Sequence, residues 1–337
     1  MNRDQLAKTA EAMVSNDRGL LAADESTGTI GKRFEQINVE NVEDNRRDYR
    51  EMLFRAEGLG EFISGAILYD ETLRQSAADG TSLVDLMTAQ NIIPGIKVDM
   101  GAKDLPGGAS EKVTEGLDGL PGRVDEYVQL GARFAKWRAV ITIGDGIPSN
   151  YCIQVNAQAL GRYAKICQEG GIVPIVEPEV LMDGTHDIDR CDEVTTAALK
   201  ALYDALYQQD VFLEGTILKP NMIISGKECA TQASASEVAG RTIQCLRRMV
   251  PAAVPGIMFL SGGQSEEEAS VNLNAMNAEF GAQPWKLSFS YGRALQQSAL
   301  QAWKGDNANN PKAQAALLER SRANRDAAAG ALAAAAA

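Results

Sequence analysis

The chain has 337 residues, of which 45% are hydrophobic and 23% charged, and its formal net charge is −12. This composition is typical of a globular protein of enzyme size, and the acidic balance argues against nucleic acid or an anionic membrane surface as a partner. No run approaches the roughly 18 apolar residues that a membrane span requires, and the N-terminus has no apolar signal core. An anionic substrate would therefore need a basic pocket inside an acidic body.

The cysteines and the single histidine exclude several kinds of site. The cysteines are odd in number and never form Cys-x-x-Cys, which is typical of reduced cytoplasmic thiols that mostly pack in the core. They are Cys152, Cys167, Cys191, Cys229 and Cys245. One histidine, His186, disfavours both a Ser-His-Asp hydrolase and a multi-histidine metal site. Its polar loop predicts a solvated surface position.

Taken in chain order, the sequence predicts an amphipathic helix over residues 3–15 and then an alternation of strands and helices. Eight short apolar or β-branched runs predict strands, separated by enough residues for loops and a helix. The runs are Gly19–Asp24, Gly65–Asp70, Ile92–Asp99, Phe134–Ile143, Ile172–Val180, Glu214–Met222, Gly256–Gly263 and Lys286–Gly292. This pattern predicts an α/β protein with a single (β/α)8 TIM barrel over residues 1–312.

The C-terminal stretch 313–337 differs in composition, because it is rich in alanine and its last eleven residues are almost only alanine. We predict an alanine-rich tail outside the barrel. It is either a frayed helix or a stretch in which alanine stands for residues of uncertain identity, and we favour the second interpretation.

The stretch Glu214-Gly-Thr-Ile-Leu-Lys-Pro-Asn-Met222 carries a lysine at the end of a buried strand. Pro220 ends the strand, because proline has no backbone N–H to donate. A charge there is costly unless it is paired or its proton is lost, and a neutral lysine is a nucleophile suited to ketones. A lysine that merely extends to solvent from a strand end is the alternative interpretation of Lys219.

Most of the predicted strands end in charged residues, and active-site residues of such barrels gather at the carboxyl ends of the strands. Spacings of two residues put both side chains of a pair on one face of a strand. The charged residues at the mouth are Asp24, Lys97, Asp99, Lys136, Arg138, Glu177, Glu179 and Lys219. Paired charges in solvated loops would explain any single pair, but the repetition over five strands favours a catalytic site.

The last two predicted strands favour an anion site. Residues 260–268 form a strand end, a glycine turn and a helix start with a Ser265/Glu268 capping box, and residues 288–293 end in Gly292 and Arg293. Free backbone N–H groups, a helix start and an arginine bind phosphate, and the loops after strands seven and eight are its usual place in these barrels. An amine, carboxylates and a phosphate seat together indicate Schiff-base formation on a phosphorylated ketone.

At these residues the sequence resembles class I fructose-bisphosphate aldolase, over roughly residues 5 to 305. The similar stretches are Leu20-Leu-Ala-Ala-Asp-Glu-Ser-Thr-Gly28, Gly95-Ile-Lys-Val-Asp99, Phe134-Ala-Lys-Trp-Arg138, Ile172-Val-Pro-Ile-Val-Glu-Pro-Glu179, Leu213–Met222, Phe259-Leu-Ser-Gly-Gly-Gln-Ser-Glu-Glu-Glu268 and Phe289-Ser-Tyr-Gly-Arg293. The resemblance implies a metal-independent, cytoplasmic (β/α)8 lyase, usually a homotetramer. It would cleave fructose 1,6-bisphosphate reversibly to dihydroxyacetone phosphate and glyceraldehyde 3-phosphate in glycolysis and gluconeogenesis.

The resemblance also implies roles for single residues. Lys219 matches the lysine that attacks the C2 ketone. Glu177 matches the carboxylate that assists dehydration and proton transfer. Asp24 matches the one near the substrate C4 hydroxyl, and Glu179 is its carboxylate neighbour. Lys136 matches the lysine that positions substrate hydroxyls.

The remaining matches concern phosphate binding. The C1-phosphate seat and its surroundings would be formed by Ser261, Gly262, Ser290, Gly292 and Arg293. The C6-phosphate side would be formed by Ser26, Lys97 and Arg138, with Arg33 lining the cleft. Two positions depart from animal members of the family: no tyrosine follows Tyr291 to help protonate the enamine, and Thr29 stands where a serine is common. We expect Schiff-base formation with slower turnover of dihydroxyacetone phosphate.

Three alternatives stay open at this point. A metal-dependent aldolase is disfavoured by the single histidine, while a transaldolase-like transferase would share the lysine without needing two phosphate seats. A non-enzymatic binding barrel would leave Lys219 and the paired carboxylates unexplained. Substrate range between fructose 1,6-bisphosphate, fructose 1-phosphate and sedoheptulose 1,7-bisphosphate is not decided by the sequence.

Overall fold

A computed structural model of the chain describes residues 1–333 and shows a closed barrel of eight parallel strands. The barrel strands are β1 (Gly19–Ala23), β2 (Ile63–Leu68), β3 (Ile93–Lys97), β6 (Phe134–Ile141), β7 (Val173–Val180), β8 (Ile217–Leu218), β9 (Gly256–Phe259) and β10 (Lys286–Tyr291). They neighbour one another in the order β1-β10-β9-β8-β7-β6-β3-β2. The predicted (β/α)8 barrel is confirmed.

Helices surround the barrel and follow its strands. They are α1 (Arg3–Met13), α2 (Thr27–Glu35), α3 (Glu43–Phe54), α4 (Asp70–Arg74), α5 (Leu83–Thr88), α6 (Leu120–Gln129), α7 (Asn150–Glu169), α8 (Ile188–Gln208), α9 (Ala235–Met249), α10 (Glu266–Glu279), α11 (Arg293–Trp303) and α12 (Asn310–Ala328). Within residues 1–333, no helix combines the length and apolar character needed to cross a membrane.

The predicted strands differ from the observed ones in two respects. β8 is only two residues long, because a 3-10 helix over Leu213–Gly215 comes just before it and Pro220 ends the ladder soon after Leu218. The sequence prediction also missed an antiparallel hairpin of β4 (Ala102–Asp104) and β5 (Lys112–Thr114). Each hairpin strand has three residues, and all three residues of β4 are exposed, so neither strand carries a buried apolar pattern.

Helix α1 closes the amino-terminal end of the barrel. Its buried residues Leu6, Ala10 and Met13 belong to one apolar cluster with inward-facing barrel residues such as Phe134 and Ile217. A Cβ added at Gly95 would overlap the Phe134 ring, so the ring fills space that a glycine leaves open. The carboxyl end of the barrel is the end that remains for a site.

Residues 313–328 belong to a packed helix, so the prediction that this stretch is a tail outside the barrel is wrong for them. Helix α12 begins before the proposed boundary at 312/313 and buries Ala313, Leu317, Ser321, Asn324 and Ala327 against the rest of the protein. Alanine suits this position because its small side chain lets α12 lie close to α10 and α11. The alanines at 334–337 lie outside the described residues.

Candidate active site

Lys219 lies at the carboxyl end of β8 with its side chain only 5% exposed. Its backbone N–H donates to the Val176 carbonyl, which continues the ladder with β7 up to Pro220. The Nζ atom lies 3.1 Å from Glu177 Oε1, and Lys136 Nζ lies 3.3 Å from Glu177 Oε2. One buried carboxylate therefore stands between two lysines, and the predicted buried charge is paired.

Lys136 is also held by Asp24, whose Oδ2 lies 2.6 Å from its Nζ. Burial alone would lower the pKa of Lys136, but Asp24, Glu177 and Asp99 raise it above its usual range. Burial alone would raise the pKa of Asp24 and of Glu177, but the neighbouring lysines Lys136 and Lys219 lower both. Lys136 and the two carboxyls are thus ionised near neutral pH.

A second group of ion pairs lies on β3, β6 and β7. Lys97 Nζ lies 2.7 Å from Asp99 Oδ1, and Arg138 pairs with Glu179 through Nε and Oε2. Asp99 also accepts a hydrogen bond from the Arg138 backbone N–H at 3.3 Å. Lys97 and Arg138 also line an adjacent cavity together with Ser26, the N-cap of α2.

The loops after β9 and β10 face each other. Gly262 and Gly263 have positive φ angles of 49° and 78°, and α10 follows with the predicted capping box between Ser265 and Glu268. A Cβ built on Gly263 would lie 3.4 Å from Arg293 Nη2, so this guanidinium lies over the glycine turn. The hydroxyl of Ser290 is buried, and within residues 1–333 it has no hydrogen-bond partner. This is the expected form of an anion seat.

One cavity of about 440 Å³ joins these groups. All fourteen site residues predicted from the sequence line it: Asp24, Ser26, Arg33, Lys97, Lys136, Arg138, Glu177, Glu179, Lys219, Ser261, Gly262, Ser290, Gly292 and Arg293. Its lining carries seven lysine and arginine side chains against four carboxylates. The acidic protein therefore has the basic pocket that an anionic substrate requires.

Four polar residues of the lining were not predicted from the sequence: Glu25, Lys32, Gln36 and Gln297. Glu25 is the one with strong contacts, because it pairs with Arg33 at 2.5 Å and with Arg50 at 2.7 Å. Its position next to Asp24 at a strand end was a usable signal. The contact with Arg50 could not be predicted from residue spacing, because Arg50 lies on a different element, helix α3.

His186 is not the solvated surface residue that was predicted. Both of its ring nitrogens are buried, and burial lowers its pKa. The cause is a second loop that lies against it, since the Gly226 N–H donates to the His186 carbonyl at 2.8 Å. Four of the five cysteines are buried, which confirms them as packing residues, and Cys229 is half-buried.

Comparison with known proteins agrees with this geometry. Residues 5–337 match the family described as fructose-bisphosphate aldolase class-I. A probable class 1 fructose-bisphosphate aldolase of Xanthomonas axonopodis pv. citri is 58% identical over 325 residues, covering 96% of this chain and 97% of the relative. Cytosolic fructose-bisphosphate aldolase 4 of Arabidopsis thaliana is 55% identical over 323 residues, covering 96% of this chain and 82% of the relative.

A solved structure of an aldolase has the same fold as this chain. Fructose-bisphosphate aldolase from Plasmodium falciparum, in complex with TRAP and a small-molecule inhibitor, superposes with a TM-score of 0.97 at 51% identity. The match covers 99% of this chain and 96% of that one. The chain belongs to the class I fructose-bisphosphate aldolase family, whose members are metal-independent lyases.

Proposed function

We propose that the protein cleaves fructose 1,6-bisphosphate reversibly, with Lys219 as the nucleophile that forms a Schiff base at the C2 ketone. The observation that carries this proposal is the buried contact between Lys219 Nζ and Glu177 Oε1 inside a basic cavity. A primary amine beside a carboxylate has both the nucleophile and the proton carrier that imine formation needs.

The proposed reaction starts when Lys219 gives its ammonium proton to Glu177, and the neutral amine then attacks C2. Glu177, 3.1 Å from Nζ, carries protons while the carbinolamine loses water and the protonated imine forms. A carboxylate then takes the proton from the C4 hydroxyl and the C3–C4 bond breaks. The electron pair of that bond forms the C2–C3 double bond of an enamine, while the π pair of the iminium moves to nitrogen. The aldehyde leaves, the enamine is protonated at C3, and water releases dihydroxyacetone phosphate and restores the lysine.

The other residues position the substrate. Lys136 lies between Asp24 and Glu177 and holds both carboxylates as anions. Arg293, the glycine turn and the buried Ser290 hydroxyl suit the C1 phosphate. Ser26, Lys97 and Arg138 suit the C6 phosphate at the opposite side of the cavity.

A cleavage assay with matched lysine variants tests this proposal. Lys219→Met should lower kcat with fructose 1,6-bisphosphate by more than about a thousandfold, because the nucleophile is lost. Lys227→Met removes an exposed lysine of the following loop and should retain activity. EDTA should leave the wild-type rate unchanged. Retained cleavage in Lys219→Met would contradict the proposed role.

We also propose a cytoplasmic homotetramer that acts in glycolysis and gluconeogenesis. The name of the Arabidopsis relative supports the compartment, since that protein is described as cytosolic. Exposed large side chains are compatible with assembly: Met100 is 63% exposed, Tyr207 61% and Tyr151 49%.

A further inference from the structure

Glu25 is a buried ionic hub at the wall of the cavity. Its side chain is only 4% exposed, and its two oxygens bind different arginines. Oε2 accepts from Arg50 Nη2 at 2.7 Å, and Oε1 lies 2.5 Å from Arg33 Nη1. Gln296 donates to the same Oε1 at 3.1 Å, and Tyr49 donates to Gln296 at 3.0 Å.

The two arginines differ in what else they can reach. Arg50 is 3% exposed in its side chain, and within residues 1–333 its Nε and Nη1 have no hydrogen-bond partner. Arg50 therefore depends on Glu25 as its counter-ion, and this contact holds the Glu25 carboxylate in place. A buried charge that loses such a partner is strongly destabilising.

Arg33 faces the other way, into the cavity. Its side chain is 19% exposed, and Nη2 would lie 3.5 Å from a Cβ built on Gly292. Gly292 is the N-cap of α11, the helix that begins with Arg293. The nitrogen that Glu25 does not bind is therefore presented beside the anion seat.

We propose that Glu25 is a positioning residue for phosphate binding: fixed by Arg50 and Gln296, it holds the Arg33 guanidinium with Nη2 directed at the substrate's phosphate. This inference rests on the proposed function, because the phosphate belongs to the sugar bisphosphate. Arginine loses much rotamer entropy when it binds an anion, so a guanidinium that is already ordered binds more tightly. Glu25 itself touches no reacting atom.

The first measurement is the pair of kinetic constants for Glu25→Gln with fructose 1,6-bisphosphate. KM should rise about tenfold while kcat stays within about threefold, because an ordered arginine is lost and the Lys219 chemistry is kept. The dissociation constant of inorganic phosphate, measured by calorimetry, should rise similarly. The proposal would be overturned if KM and the dissociation constant of inorganic phosphate were both unchanged or lower in Glu25→Gln.

A double-substitution cycle separates positioning from general damage. Arg33→Met should raise KM, and Glu25→Gln in the Arg33→Met background should raise it no further, because Glu25 acts through Arg33. Multiplicative effects would contradict the proposal. Glu111→Gln is the matched control, since Glu111 is another buried carboxylate, held by Ser149 away from the cavity, and its loss should leave KM unchanged.

Two safeguards keep the test decisive. If Glu25→Gln alone does not fold, the double variant Glu25→Gln/Arg50→Met removes the buried pair together and should show the same raised KM. If the wild-type protein binds phosphate but forms no Schiff base, the proposed function is contradicted. The role of Glu25 is then still tested by comparing the phosphate dissociation constants of Glu25→Gln and wild type.

Discussion

At Glu177 on β7, one carboxylate contacts two lysines, Lys136 on β6 and Lys219 just after β8, and these two strands flank β7. The arrangement is electrostatically favourable only while Asp24 and Glu177 are ionised, since both carboxyls are buried and their pKa values are lowered by Lys136 and Lys219. The same contacts raise the pKa of Lys136. Site geometry and folding stability are therefore linked through pH.

Asp24→Asn tests this link at the scale of one residue. At pH 7 the variant should be less stable by about 3 kcal/mol, because Lys136 loses a buried counter-ion. Asp24 has a lowered pKa in the folded state, so its contribution is present above the unfolded value of about 3.9 and is lost as the pH falls below it. Urea unfolding of both proteins at pH 7, 5 and 3 measures the difference, which should be similar at pH 7 and 5 and smaller at pH 3. A difference that grows on acidification would contradict this account.

At the scale of elements, α12 is part of the barrel's outer layer. Leu317 is 0% exposed and packs in the main core, whereas Glu319 on the same helix is exposed. Leu317→Ala should lower the free energy of unfolding by about 2–5 kcal/mol because it leaves a cavity. Glu319→Ala should change it by less than about 0.5 kcal/mol. Equal, small effects in thermal or urea unfolding would mean that α12 does not pack as described.

The elements that could be predicted are those that a short stretch of sequence marks by its own pattern of apolar and polar residues. Buried parallel strands are apolar throughout, so all eight barrel strands could be recognised, and the two-residue spacing placed Lys136 and Arg138 on one face. The β4–β5 hairpin has no such pattern. Helix α12 was missed because alanine carries little sign of burial, although the helix packs closely against α10 and α11.

The candidate site also has a part that the sequence predicted and a part that it could not predict. Charges at strand ends placed the cavity lining correctly, because a barrel brings all carboxyl ends to one mouth. The Glu25 hub could not be predicted from spacing, since its partners Arg33, Arg50 and Gln296 lie on three different helices. Contacts between distant segments depend on helix packing, which no local pattern encodes.

For the whole molecule, the acidic body and the basic cavity act together. The net charge of −12 favours solubility, while lysine and arginine side chains outnumber carboxylates in the lining of the cavity.

The proposed tetramer gives a direct prediction: light scattering should report four chains of 36.1 kDa each. A monomer mass at micromolar concentration would contradict it.

The central claim is that Lys219 forms the Schiff base, and borohydride trapping tests it most directly. The protein is incubated with dihydroxyacetone phosphate, reduced, digested and mapped by mass spectrometry. We predict a reduced adduct on the peptide that contains Lys219, together with irreversible loss of cleavage activity. An adduct on Lys136 or Lys97 would contradict the assignment of the nucleophile, and a folded protein without any adduct would contradict the mechanism.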